Sequence, residues 1–142
     1  MSGKPLNLDK RAAEQAQNMV ATAQNGIKGV KKPVETLERL ATKTLGVLQA
    51  QGVYAMMLFL FSRTKDEEKV ATHCIRPQLF QALKGLPGIQ NADIPTDDAN
   101  AQAALKFYSG KVLDNLDTLL LVRDLYEQTL IYARYGAKAA KG

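Results

Sequence analysis

The chain has 142 residues, enough for one ordinary domain, and 46% of them are hydrophobic, which supplies a substantial core. Aromatic content is 6% with no Trp, and Ala, Leu, Gln and Lys dominate instead, so helices are favoured over sheets; the single cysteine, Cys74, excludes an internal disulfide and a cysteine-cluster metal site. The net charge is +5, and its uneven distribution along the chain suits a protein that presents one basic surface to a polyanion and another, acidic one to a basic neighbour.

The polar opening from Ser2 to Gln15 holds no apolar run of leader length, so neither a signal peptide nor a membrane anchor is expected, and a cytoplasmic location is. The first helix is expected from Leu8 or Asp9 to about Gln24, capped by Asn7, with Leu8, Ala12, Ala16, Met19, Val20 and Ala23 along its buried stripe. Asn25 to Pro33 combines Gly26 and Gly29 with Lys28, Lys31 and Lys32 and reads as a basic loop ending in a proline suited to a first helical turn. The second helix runs from Val34 to about Gln51, with Leu37, Ala41, Leu45 and Leu48 at helical spacing. Gly52 is then a hinge of positive φ before a second apolar run, Val53 to Phe61. Tyr54, Ala55, Leu58 and Phe59 leave that run no wet face, so it is expected at the buried centre of a bundle, and it is too short to span a bilayer.

Asp66, Glu67 and Glu68 suit a helix start, where acids meet the positive end of the dipole, and Val70, Cys74 and Ile75 continue the helix. Pro77 is expected to end or kink it near Arg76, before a short apolar stripe of Leu79, Phe80, Leu83 and Leu86. Gly85 to Asp98 is the longest breaker-rich segment and reads as an exposed connection, after which Asp97 or Asp98 caps a helix to about Tyr108. The last helix is expected from about Lys111 to Lys138. Leu116, Leu119, Leu120, Tyr126, Leu130, Ala133 and Ala137 mark one face and Leu121, Val122, Leu125, Thr129 and Tyr132 another, so it needs contacts on two sides, from the bundle or from another subunit. The expected fold is all-α: a single domain over residues 1–142, built as a compact bundle of about five to six helices with a long C-terminal helix.

Catalysis is not expected. His73 and Cys74 are adjacent, and neighbours on a helix point about 100° apart, so they form no local nucleophilic pair. Gly26 and Gly29 are not followed by the Lys-Ser or Lys-Thr of a phosphate loop, Asp97 and Asp98 lack the spaced oxygens of a calcium loop, and Met56 with Met57 reads as core filler. Neither a cofactor nor a metal is expected.

The charge pattern says more. Residues 128–142 carry Arg134, Lys138 and Lys141 with no acid, and residues 1–32 oppose their lysines and Arg11 with only Asp9 and Glu14. Between them lies an acidic stretch with Asp93, Asp97, Asp98, Asp114, Asp117, Asp124 and Glu127. Lys32, Arg39 and Lys43 can share one face of the second helix, and Arg134, Lys138 and Lys141 can share one of the last, as sequence-blind contacts to a phosphate backbone. Glu35 and Glu38 interrupt the first set and are available to pair with Arg39. Tyr132 and Tyr135 beside the second set suit either base stacking or core packing. Solvated faces without any partner produce the same charge pattern.

Three blocks resemble one family. Leu8 to Gln24, LDKRAAEQAQNMVATAQ, is similar to the opening helix of the small subunit of Cmr-type (type III-B) CRISPR ribonucleoprotein complexes. Leu45 to Arg63, LGVLQAQGVYAMMLFLFSR, resembles that family's two apolar helices joined at a polar residue and glycine, here Gln51 and Gly52, and closed by a basic residue, here Arg63. Leu125 to Gly142, LYEQTLIYARYGAKAAKG, resembles its closing helix, with Tyr132 or Tyr135 where the family often has Trp. The resemblance implies a non-catalytic helical subunit that stacks in several copies along the backbone subunits of the effector, with the large subunit as a further partner, and helps to hold guide RNA and target RNA. A free-standing helical adaptor that binds protein through its last helix, and a small enzyme using His73 and Cys74, are the alternatives.

Overall fold

In the computed structural model, which describes residues 6–141, α1 spans Leu8–Asn25 and starts where Asn7 caps it, the Asn7 side chain accepting from the Lys10 amide at 3.0 Å. The polar opening begins in residues 1–5, outside the described residues. Ala12, Ala16, Met19 and Ala23 are buried along one side of α1, with Leu8 and Val20 packed partly against the same core. α2 spans Pro33–Gln51, with Pro33 in the first turn, where a missing N–H costs nothing.

Gly52 has φ 98° and ψ −175°, which is glycine territory. Its N–H closes α2 on the Leu48 carbonyl at 2.9 Å, and its own carbonyl accepts from Met56 at 3.0 Å to open α3, Val53–Phe61. The hinge therefore sits where the sequence places it. Val53, Met56, Met57 and Leu60 are buried, the two methionines as core filler. The expectation that α3 has no wet face is corrected, because α2 and α6 cover it from only part of its circumference and Tyr54 and Leu58 face outward.

Pro77 does not end its helix. α4, Lys65–Val70, passes through a π turn, Ala71–Ile75, into α5, Arg76–Ala82. The Arg76 N–H bonds to the Ala71 carbonyl, one residue further back than in an α-helix, and this wider turn directly before Pro77 accommodates a residue that has no N–H to give. The following connection is largely exposed, apart from Leu86 and Ile89, which are buried in the core.

α6, Ala101–Phe107, is capped by Asn100, whose side chain accepts from Ala103 at 2.8 Å, and not by Asp97 or Asp98. Asp98 is engaged by the Thr96 hydroxyl at 2.7 Å inside a turn closed by the Ala99 amide and the Thr96 carbonyl. A second π turn, Tyr108–Val112, contains Lys111, so the last helix starts later than expected. α7 spans Leu116–Lys141, its Asn115 side chain accepting from Thr118 at 3.1 Å; its 26 residues make it about 39 Å long.

α7 is the axis of the bundle and packs most extensively on α2 and α1. It runs antiparallel to α2, since Glu38 near the start of α2 meets Lys141 and Gln49 near its end meets Glu127. Val122, Leu125, Tyr126, Leu130, Ala133 and Ala137 are buried along it. With α4 and α5 as one run, the fold is all-α with six helices, and there is no strand among the described residues.

Two polar arrangements hold the bundle together. Tyr126 donates to the Leu79 carbonyl at 3.1 Å, and the Tyr108 and Tyr126 hydroxyls lie 2.5 Å apart, all buried. Arginines meet carbonyls at helix C-termini: Arg123 the Gln49 carbonyl in α2, Arg63 and Arg76 the Phe59 and Leu60 carbonyls in α3, and Arg11 the Ala82 and Lys84 carbonyls at the end of α5. Arg39 and Arg134 are left outside this scheme.

Candidate nucleic-acid interface

The antiparallel pairing of α2 and α7 brings the start of one beside the end of the other, so the two basic sets nominated by the sequence meet at one end of the molecule. Arg39 and Lys43 from the first set and Lys141 from the second line an open trough of about 420 Å³ together with Glu35, Glu38 and Thr42. Lys141 reaches Glu38 at 2.5 Å. That hydrogen bond, opposed by desolvation and aided by the charges of Lys141, Lys138 and Arg134, holds the Glu38 carboxyl below its ordinary range. The same hydrogen bond holds the Lys141 ammonium above its own. Lys138 and Arg134 are exposed and make no ion pair among the described residues.

The first set divides. Lys32 is directed at Glu35, 3.9 Å away, an exposed pair of little energetic weight. Arg39 and Lys43 both turn to Glu67, at 3.3 and 2.9 Å, and Arg63 approaches the other oxygen of the same carboxylate at 3.5 Å. Burial works against the ionised Glu67, but the hydrogen bonds and charges of Lys43 and Arg39 outweigh it, and its carboxyl is held below the ordinary range. The expected pairing of Arg39 with Glu35 or Glu38 is therefore replaced by a pairing with a residue from α4. Sequence reasoning missed Glu67 and Arg63 as members of this surface; their spacing of four signalled a mutual pair, but not that both would meet α2.

The two tyrosines separate as well. Tyr132 is partly buried and donates to Asp9, tying α7 to α1. Tyr135 is exposed, with the Arg134 guanidinium 5.6 Å from its ring centre. His73 is exposed while Cys74 is buried, its thiol directed at the Met19 carbonyl and pushed up to about 12 by desolvation, so the two side chains face different surroundings.

A second surface lies at the opposite end of α7. Tyr54 and Leu58 stand one turn apart on α3, as do Leu116 and Leu120 on α7, and with Leu113 they are 37 to 67% exposed. Tyr54, Leu113, Leu119 and Leu120 line one cleft of about 160 Å³, and the exposed Asp114, Asp117 and Asp124 occupy the same stretch of chain. Rising at 1.5 Å per residue, α7 separates this apolar and acidic end from the basic end by about 30 Å. No helix among the described residues is long and apolar enough to cross a membrane. Comparison with known protein families, curated proteins and solved structures found no match.

Proposed function

We propose that this protein is a non-catalytic structural small subunit of a type III CRISPR RNA-guided effector complex, of the Cmr type or a related subtype, acting in the cytoplasm in antiviral defence. Copies of it stack along the backbone subunits, adjoin the large subunit, and contact the backbone of guide and target RNA. The observation that carries this reading is the convergence of the two basic sets at one end of the α2–α7 pair, with Arg134, Lys138 and Tyr135 open to solvent. The resemblance of three blocks of the chain to that family supports it, and so does the uncovered apolar surface at the other end of α7, which suits a neighbouring subunit.

In this role the basic face supplies phosphate contacts that position RNA without reading it, while pairing with the guide supplies sequence selection. The test is co-expression with the products of the neighbouring genes and purification through a tag on this chain. A stoichiometric assembly that carries small RNA is expected. The apolar surface equally suits a free-standing helical adaptor, and co-purification of a protein partner without RNA would select that alternative.

A further inference from the structure

We infer that Arg39, Lys43 and Arg63 form a binding site for one backbone phosphate of a nucleic acid, with the Glu67 carboxylate as its resident counter-ion. The inference deepens the RNA-contact reading and rests on it for the identity of the ligand. Arg39 and Lys43 project from successive turns of α2, and Arg63 is held at the end of α3 by the Phe59 carbonyl and by stacking 3.8 Å over the Phe59 ring. All three converge on one carboxylate, which leaves the cluster cationic after Glu67 is counted.

The arrangement has the chemistry of an oxyanion site. Two guanidinium groups and an ammonium offer more N–H donors than two carboxylate oxygens can accept, and a phosphodiester presents a single negative charge over two terminal oxygens to the same donors. It is also reachable, because the side chains of Arg39 and Lys43 are 54% and 48% exposed, whereas that of Glu67 is only 14% exposed beneath them. An incoming phosphate therefore meets the cations first and competes with Glu67 for them. Because the competitor is tethered, it is always present at high local concentration and attenuates binding by the chain alone.

Binding of a fluorescent oligouridylate to the isolated full chain, titrated at two salt concentrations, tests this. Glu67→Gln is expected to tighten binding several-fold and to steepen the dependence on salt, by about 0.7 in logarithmic slope for a phosphate gained. Asp117→Asn makes the same charge change at the far end of α7 and is expected to leave both nearly unchanged. Arg39→Gln with Lys43→Gln, at half-exposed positions on α2, is expected to lower stability modestly while remaining folded, to weaken binding and flatten the slope, and to cancel the gain when added to Glu67→Gln. Parental affinity in folded Glu67→Gln, an equal gain from Asp117→Asn, or parental binding by the Arg39/Lys43 variant would each overturn the site. Should Glu67→Gln fail to fold, the Arg39/Lys43 variant decides alone. A chain that joins an RNA-containing assembly but shows none of these effects refutes the phosphate site and leaves the proposed function standing; the converse result refutes the function and leaves the site.

Discussion

Gly52 closes one helix and opens the next in a conformation that a side chain opposes, yet a Cβ built there would meet nothing within 4 Å. The penalty for replacing it is therefore backbone strain without crowding: Gly52→Ala is expected to cost about 1–3 kcal/mol, read from the urea midpoint, and a neutral substitution would mean that the hinge relaxes. The buried tyrosine pair makes a sharper comparison. Tyr126→Phe strands both the Leu79 carbonyl and the Tyr108 hydroxyl and is expected to cost about 1–3 kcal/mol, whereas Tyr108→Phe leaves the bond to Leu79 intact and should cost clearly less. Cys74, buried and with its thiol raised to about 12, is expected to resist alkylation at pH 8 in the folded protein and to react once urea unfolds it. Gly52 and the core methionines were legible because glycine chemistry and apolar spacing are local. Glu67 was not, since its partners Arg39 and Lys43 lie far away in sequence and only the packing of α4 on α2 unites them.

At the scale of elements, the helices were legible from their periodicity, and the departures lie at their ends, where the hydrogen bonding of a few neighbouring residues decides. Pro77 reads as a stop or a kink, and the structure passes it through a π turn without ending the run; Asp97 and Asp98 read as caps, whereas Thr96 engages Asp98 and Asn100 is the cap. Four arginines outside the two nominated basic sets act at these ends, where Arg11, Arg63, Arg76 and Arg123 meet helix-end carbonyls. Arg11→Ala should accordingly destabilise the fold by about 1.5–3 kcal/mol in urea unfolding, because it removes a charged donor from two carbonyls. Replacing Arg134, Lys138 and Lys141 together by Ala should by contrast lower the melting temperature only slightly, since Arg134 and Lys138 are exposed without an ion pair and the Lys141–Glu38 pair lies at the surface. In a reconstituted assembly with the mutant fully incorporated, the same triple variant is expected to weaken RNA capture and flatten its salt dependence; identical titrations would remove the end of α7 from the RNA path.

Across the whole molecule, charge is sorted by the antiparallel packing of α2 and α7, which the sequence alone could not align. Glu38 and Glu67 hold their protons more weakly folded than unfolded, so their stabilising contribution is complete above the ordinary value of 4.5 and is lost as pH falls through the lower folded values. The gap in urea midpoint between the parent and Glu67→Gln should thus be widest near neutrality and close toward pH 3; a gap independent of pH would show that these pairs contribute nothing.

The bare edge of α3 and the start of α7 have a consequence for supply. Chain synthesised in excess of whatever covers Tyr54, Leu58, Leu116 and Leu120 carries a standing apolar surface, and such surface invites self-association and proteolytic removal. Overproduced alone, the protein should show concentration-dependent sedimentation that Leu58→Lys and Leu120→Lys relieve without lowering the melting temperature. In the assembly proposed above, copies that join their neighbours would be shielded from this fate and copies left over would be removed.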